Sequence, residues 1–166
     1  MSYLDEINKC IEKSALVTGV SQNYLEEKLT HTKVKVSSMG KYLQYDFEKV
    51  KPRLFLFFEN AGVPGLHAIA DKVLFIEGNK DVVWVFVIEL KQNKGGAYKQ
   101  IEATKLFVDF LISSVNRACN TSCTLKVRGF AYSKMWRPLT KVKKPFDELN
   151  NTHISGESLI ISNYFI

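Results

Sequence analysis

The sequence predicts a single α/β domain, a central mixed β-sheet with an antiparallel hairpin, flanked by helices on both faces in the order αβββαβ. Three observations carry this expectation. Residues 81–91 (DVVWVFVIELK) are apolar on both parities, as in a strand covered on both sides. A turn-like Gly78-Asn79-Lys80 joins that run to another apolar run, residues 71–77 (DKVLFIE), which makes a hairpin. The segment from Ala97 to Asn116 then repeats apolar residues at helical spacing.

At the N-terminus, Leu4, Ile7, Ile11 and Ala15 recur at three- and four-residue intervals and predict a helix. Ser21, followed by Tyr24 and then Leu25-Glu26-Glu27-Lys28-Leu29, reads as a second, capped helix, so residues 1–30 are expected to be helical. Residues 32–50 are basic and show no readable period. Arg53 to Phe58 is a short apolar and aromatic run closed by the breaker-rich Glu59-Asn60-Ala61-Gly62-Val63-Pro64-Gly65, a strand followed by a loop.

In the second hairpin strand, Val83, Val85 and Val87 fall on one face and Trp84, Phe86, Ile88 and Leu90 on the other. Burial of each such side chain contributes roughly 1.5 to 3 kcal/mol, which makes this strand the expected centre of the core. The helix from Ala97 to Asn116 presents Ile101, Thr104, Phe107/Val108, Leu111/Ile112 and Val115 as its inward stripe. Leu125 to Tyr132 alternates like a further strand, Lys134 to Lys144 is a basic loop, and the apolar tail from Leu159 to Ile166 suits an edge strand. No repeat or linker divides the 166 residues, so one domain is expected, with residues 52–132 as its core and 133–166 as a basic loop and C-terminal extension.

Composition limits the function classes. With 46% apolar and 24% charged residues the chain is ordinary globular material. It has no long apolar run, and its first residues are acidic and polar, so neither a membrane span nor a secretory leader is expected. Three cysteines, Cys10, Cys119 and Cys123, lack CxxC spacing and read as structural thiols in a reducing compartment, cytoplasmic or, in a eukaryote, nuclear. A net charge of +6 favours anionic partners.

Glu89 and Lys91 stand two apart at the end of the most apolar strand and therefore share one face. Taking a carboxylate or an ammonium out of water costs several kcal/mol unless a partner or an ion recovers it. Asp71, at the start of the neighbouring strand, comes close to Glu89 if the hairpin loop has the right length. A two-residue loop puts Asp71 on the opposite face, whereas a three-residue loop, Gly78 to Lys80, pairs it with Val87 and sets it diagonal to Glu89, about 7 to 8 Å away. An odd-length loop or a compensating bulge is thus expected. Two converging carboxylates repel each other unless a cation sits between them, and a hard divalent ion with oxygen ligands is the natural occupant.

Asp71, then Glu89-Leu90-Lys91, then a helix bearing Gln100, resembles the PD-(D/E)XK nuclease superfamily. The resemblance spans roughly Tyr3 to Tyr132 and implies a restriction-endonuclease-like fold with Mg2+ or Mn2+ as cofactor. It implies Asp71 and Glu89 as metal ligands with the Leu90 backbone carbonyl, Lys91 as the lysine that activates water, and Gln100 as a supporting residue on the helix. The proline of the name is absent, since Ala70 precedes Asp71. The family's additional acidic residue is not fixed: Glu26, Glu27 and Glu59 compete, with Glu59 nearest the expected sheet.

The implied activity is phosphodiester hydrolysis of nucleic acid, with DNA favoured over RNA and internal cleavage over end resection. Tyr98 and Lys99 on the helix, and Lys134, Arg137, Lys141, Lys143 and Lys144 in the basic loop, are the candidate substrate contacts, with Trp136 available to stack on a base. The chain would act as a homodimer or as a subunit of a larger complex. Two other classes compete: a nucleic-acid-binding subunit of this fold without catalysis, and a structural or interaction protein without a nucleic-acid role.

Overall fold

In a computed structural model of the chain, residues 2–27, 32–37, 40–51, 63, 67–79, 81–90, 97–133 and 158–165 are described in full and 151–154 by their backbone. The chain begins with α1 (Tyr3–Cys10), whose N-cap Ser2 forms a capping box with Asp5. Four strands follow, β1 (Leu16–Val17), β2 (Tyr24–Glu27), β3 (Thr32–Ser37) and β4 (Tyr42–Tyr45). The hairpin strands are β5 (Lys72–Glu77) and β6 (Val82–Leu90). The long helix α2 (Ala97–Cys119) leads to β7 (Thr124–Tyr132), β8 (Asn151–Ile154) and β9 (Ser158–Ile160).

Six strands form the central sheet in the order β1-β4-β5-β6-β7-β8. β1, β4, β5 and β6 pair antiparallel in that succession, whereas β7 pairs parallel with β6 and β8 parallel with β7. α2 is the crossover that parallel pairing of β6 with β7 requires. The order α1, β4, β5, β6, α2, β7 reproduces the expected αβββαβ core. Its first strand is β4, from the stretch whose period could not be read; the expected strand at Arg53 to Phe58 lies outside the described residues.

β6 is covered on both sides, as its double apolar parity predicts. Val83, Val85 and Val87 join Val73, Phe75 and Tyr45 in one cluster with Leu4 and Ile7 of α1 and Ile101, Val108 and Ile112 of α2. Trp84, Phe86, Ile88 and Leu90 join Leu74, Ile76, Phe130 and Tyr132 in another. The cover of this second face departs from expectation: it comes from a small sheet, β2-β3-β9, through Leu25, Val34, Val36 and Leu159, in place of a helix.

Within that small sheet, residues 24–27 are a strand and not the predicted second helix. The reason is pairing. β3 alternates buried Thr32, Val34 and Val36 with exposed Lys33, Lys35 and Ser37, and β2 lies antiparallel against it with Leu25 opposite Val34. A tertiary ladder with one buried face outweighs the weak helical preference of Leu-Glu-Glu. α1 is likewise shorter than its pattern, ending at Cys10, yet Ile11 and Ala15 still reach the core.

Candidate active site

The hairpin loop sets the geometry. β5 and β6 pair with Lys72 opposite Ile88 and Glu77 opposite Val83, and the Gly78 N–H donates to the Val82 carbonyl at 2.8 Å. The loop is therefore residues 79–81, odd in length as expected but one residue later in the chain, and Asp81 closes it at φ 60°. Gly78 is required at the pair before the loop, because a Cβ there would lie 2.9 Å from the Val82 carbonyl oxygen and 3.0 Å from Trp84 Cδ1. The displaced register corrects the predicted Asp71–Val87 pairing. Continued by one residue, it sets Asp71 directly opposite Glu89, on the face shared with Val73 and Val87.

The two carboxylates are tied to each other's backbone. The Asp71 N–H donates to Glu89 Oε2 at 3.2 Å, and the Leu90 N–H donates to Asp71 Oδ2 at 2.6 Å. Only 7% of Asp71 and 1% of Glu89 is exposed. Hydrogen bonds are stronger away from water, so this reciprocal pair fixes both side chains and the Leu90 peptide at the end of the sheet.

α2 holds the approach to Asp71. Thr104 Oγ1 accepts the Ala70 N–H at 2.6 Å and donates to the Gln100 carbonyl at 2.7 Å. Gln100 Nε2 reaches the Ile69 carbonyl at 3.4 Å. Asp71, Glu89, Leu90 and Gln100 are thus brought to one end of the sheet. Tyr98 is half-buried, which pushes its hydroxyl above the ordinary tyrosine pKa, and Lys99 is exposed on the same helical turn. Lys91, Glu59, Lys134, Trp136, Arg137, Lys141, Lys143 and Lys144 lie outside the described residues.

Asp71 also lines a cleft of about 570 Å³ together with Glu26, Glu27, Asp46 and Glu48, against Lys49 and Lys72. Glu26 and Glu27, two of the competing acidic residues, reach this cleft from a strand and not from a helix. Lys72 is itself buried and bound to Asp46 at 2.9 Å, a pair that the sequence reading missed. Its signal was a lone cation at the start of an otherwise apolar strand. Of the basic run from Lys33 to Lys51, Lys33, Lys41 and Lys51 are engaged in ion pairs with Glu26, Asp5 and Glu48.

Comparison of the chain with protein-family models, curated proteins and solved structures finds no match.

The donor set fits a hard divalent cation. Among the described residues no three His, Cys, Asp or Glu side chains converge as a metal-holding group. Mg2+ does not need three: it is commonly held by one or two carboxylates and keeps several waters. An ionised carboxylate offers about four acceptor directions, so a backbone N–H on one oxygen is compatible with an ion on the same group. Two buried carboxylates at one point of the sheet supply the negative potential that such an ion would neutralise.

Proposed function

We propose that this protein is a metal-dependent phosphodiesterase acting on nucleic acid, a nuclease of the PD-(D/E)XK type. The observation that supports it most is the convergence of Asp71 and Glu89, eighteen residues apart, each bonded to the backbone beside the other. Placing two acids in the interior of a sheet is costly without an ionic role.

Asp71 and Glu89 would hold Mg2+ or Mn2+ with the Leu90 carbonyl, and their hydrogen bonds keep the carboxylates in place so that no ordering is needed on binding. The bound ion supplies Lewis acidity toward a phosphoryl oxygen and a water of lowered pKa. Lys91, which follows Leu90 in the sequence, would orient the attacking water or take part in its deprotonation. Gln100 and Thr104 hold residues 69–70 and thereby fix Asp71. The first turn of α2 carries Tyr98 and Lys99 toward the substrate, and its N–H groups favour a phosphate. The acceptor-rich cleft beyond Asp71 disfavours a bare phosphate, which sets the nucleic acid on the α2 side of the pair.

The test is cleavage of plasmid and oligonucleotide DNA and RNA with Mg2+, Mn2+ or EDTA. Glu89→Gln removes the charge and keeps the shape, and is expected to lower metal-dependent cleavage at least 100-fold, on the scale of losing one electrostatic element of an active site. Lys91→Ala should do the same while leaving Mn2+ binding intact. Binding of duplex without cleavage under every metal condition would favour the non-catalytic subunit, and neither binding nor cleavage would remove the nucleic-acid role.

A further inference from the structure

The C-terminal ends of the two helices on one face of the sheet bring two thiols into contact. Cys10 is the last residue of α1 and Cys119 the last of α2, and their Sγ atoms are 3.6 Å apart although 109 positions separate them in the chain. Cys10 is exposed to solvent and Cys119 is half-buried. Cys123, the remaining thiol, sits half-buried beside Tyr3.

We propose that Cys10 and Cys119 form a reversible oxidation site, closing to an intramolecular disulfide when the protein meets a peroxide. A disulfide needs the sulfurs at about 2.0 Å, so the pair must close by roughly 1.5 Å. Both cysteines are at helix ends, where the chain can yield. Ile11, after α1, is already extended, and Asn120, after α2, takes a left-handed φ of 52° that ends the helix.

The chemistry balances with one peroxide. The exposed Cys10 thiolate attacks a peroxide oxygen, the O–O bond breaks, hydroxide departs and Cys10 becomes a sulfenic acid. The Cys119 sulfur then attacks the Cys10 sulfur, forming the S–S bond and expelling the oxygen as water with the proton that Cys119 gives up. The two sulfurs lose two electrons in total, and hydrogen peroxide becomes two waters. Proximity is what commits the second step, since the resolving sulfur is already in van der Waals contact.

Cys119 ends α2 at the negative end of its helix dipole, which disfavours a thiolate there. Cys119 is pushed up to about 11, first by its hydrogen bond with Cys10, then by burial and by Glu6. Cys10, the exposed member, is therefore the entry point and Cys119 the resolving partner. Because the disulfide would close a loop of 109 positions, it should stabilise the fold.

The test uses the reduced full chain with hydrogen peroxide in modest excess, followed by intact mass, non-reducing peptide mapping and thermal unfolding. The expected product is a monomer lighter by two hydrogens, with Cys10 and Cys119 peptides joined, Cys123 still alkylatable, and the change reversed by dithiothreitol. Its Tm should rise by roughly 5 to 10 °C. Cys123→Ser should behave as wild type, whereas Cys10→Ser and Cys119→Ser should lose the mass change and the Tm rise. Three free thiols after treatment, a bridge involving Cys123, or an intermolecular bridge would each overturn the assignment. None of these readouts depends on cleavage activity, so the result stands apart from the nuclease proposal.

Discussion

At the scale of single residues, the site is made by side chains whose hydrogen-bonding partners are backbone groups. Asp71 and Glu89 each accept an N–H beside the other, and Thr104 accepts the N–H of Ala70. Thr104 is fully buried, so Thr104→Val keeps the volume but strands the Ala70 N–H in the interior. The expected cost is about 1 to 3 kcal/mol of unfolding free energy, the penalty for an unmade buried bond. Urea denaturation of the variant measures it, and a change below about 0.5 kcal/mol would mean that Ala70 finds another acceptor. Asp71, Glu89 and Gln100 could be found in the sequence because a charge at the end of an apolar strand, or an amide on an apolar helical stripe, breaks a visible pattern. Thr104 sat within the stripe and read as filler. Asp46, the partner of Lys72, could not be found, because nothing in its own segment set it apart and the contact joins positions 26 residues distant.

At the scale of elements, β5 and β6 show how one loop residue governs the chemistry. Side-chain parity in a strand is strict, so a shift of one position would send Asp71, together with Val73 and Phe75, to the face of Phe86 and Ile88 on β6, away from Glu89. The sequence allowed the parity to be argued from an odd-length loop, but not the register, because Asn79-Lys80-Asp81 and Gly78-Asn79-Lys80 are both acceptable turns. What selects the observed one is contact: Gly78 lies against the Val82 carbonyl and the Trp84 ring, where no larger residue fits. Gly78→Ala should therefore destabilise the hairpin by roughly 1 to 3 kcal/mol, as overpacked sites do. The chemical shifts of Asp71 and Leu90 amides should move with it, because the loop sets their alignment. A variant as stable as wild type, with those amides unmoved, would show that the hairpin is registered by its strands alone. β2 was misread for the opposite reason: Tyr24, Leu25 and Leu29 give a helical spacing locally, and only pairing with β3 reveals the strand.

At the scale of the molecule, one sheet separates two apolar layers, and the cover of each layer was legible to a different degree. Helices declare themselves by local period, so α1 and α2 were readable; the small sheet is assembled from β2, β3 and β9, and β9 lies more than a hundred residues beyond β3, a pairing without local signature. The same burial makes stability decline gradually at alkaline pH. Tyr45 is fully buried, stacked on Phe47 with ring centres 5.7 Å apart, and burial pushes its hydroxyl up to about 12 from 10.0. Tyr3, Tyr42, Tyr98 and Tyr164 shift the same way, in each case chiefly through burial. A raised folded pKa means that the unfolded chain loses its proton first. Stability is then fully present below about pH 10, falls as pH rises toward 12, and levels off above that as far as Tyr45 is concerned. Tyr45→Phe keeps the ring and gives up only the 3.3 Å bond to Asn8. Urea unfolding of both proteins under reducing conditions should show a smaller loss in the variant between about pH 9 and 11, by on the order of 1 kcal/mol. Equal losses in the two proteins would mean that the Tyr45 hydroxyl ionises as readily in the folded chain as in the unfolded one, which its burial beneath α1 does not permit.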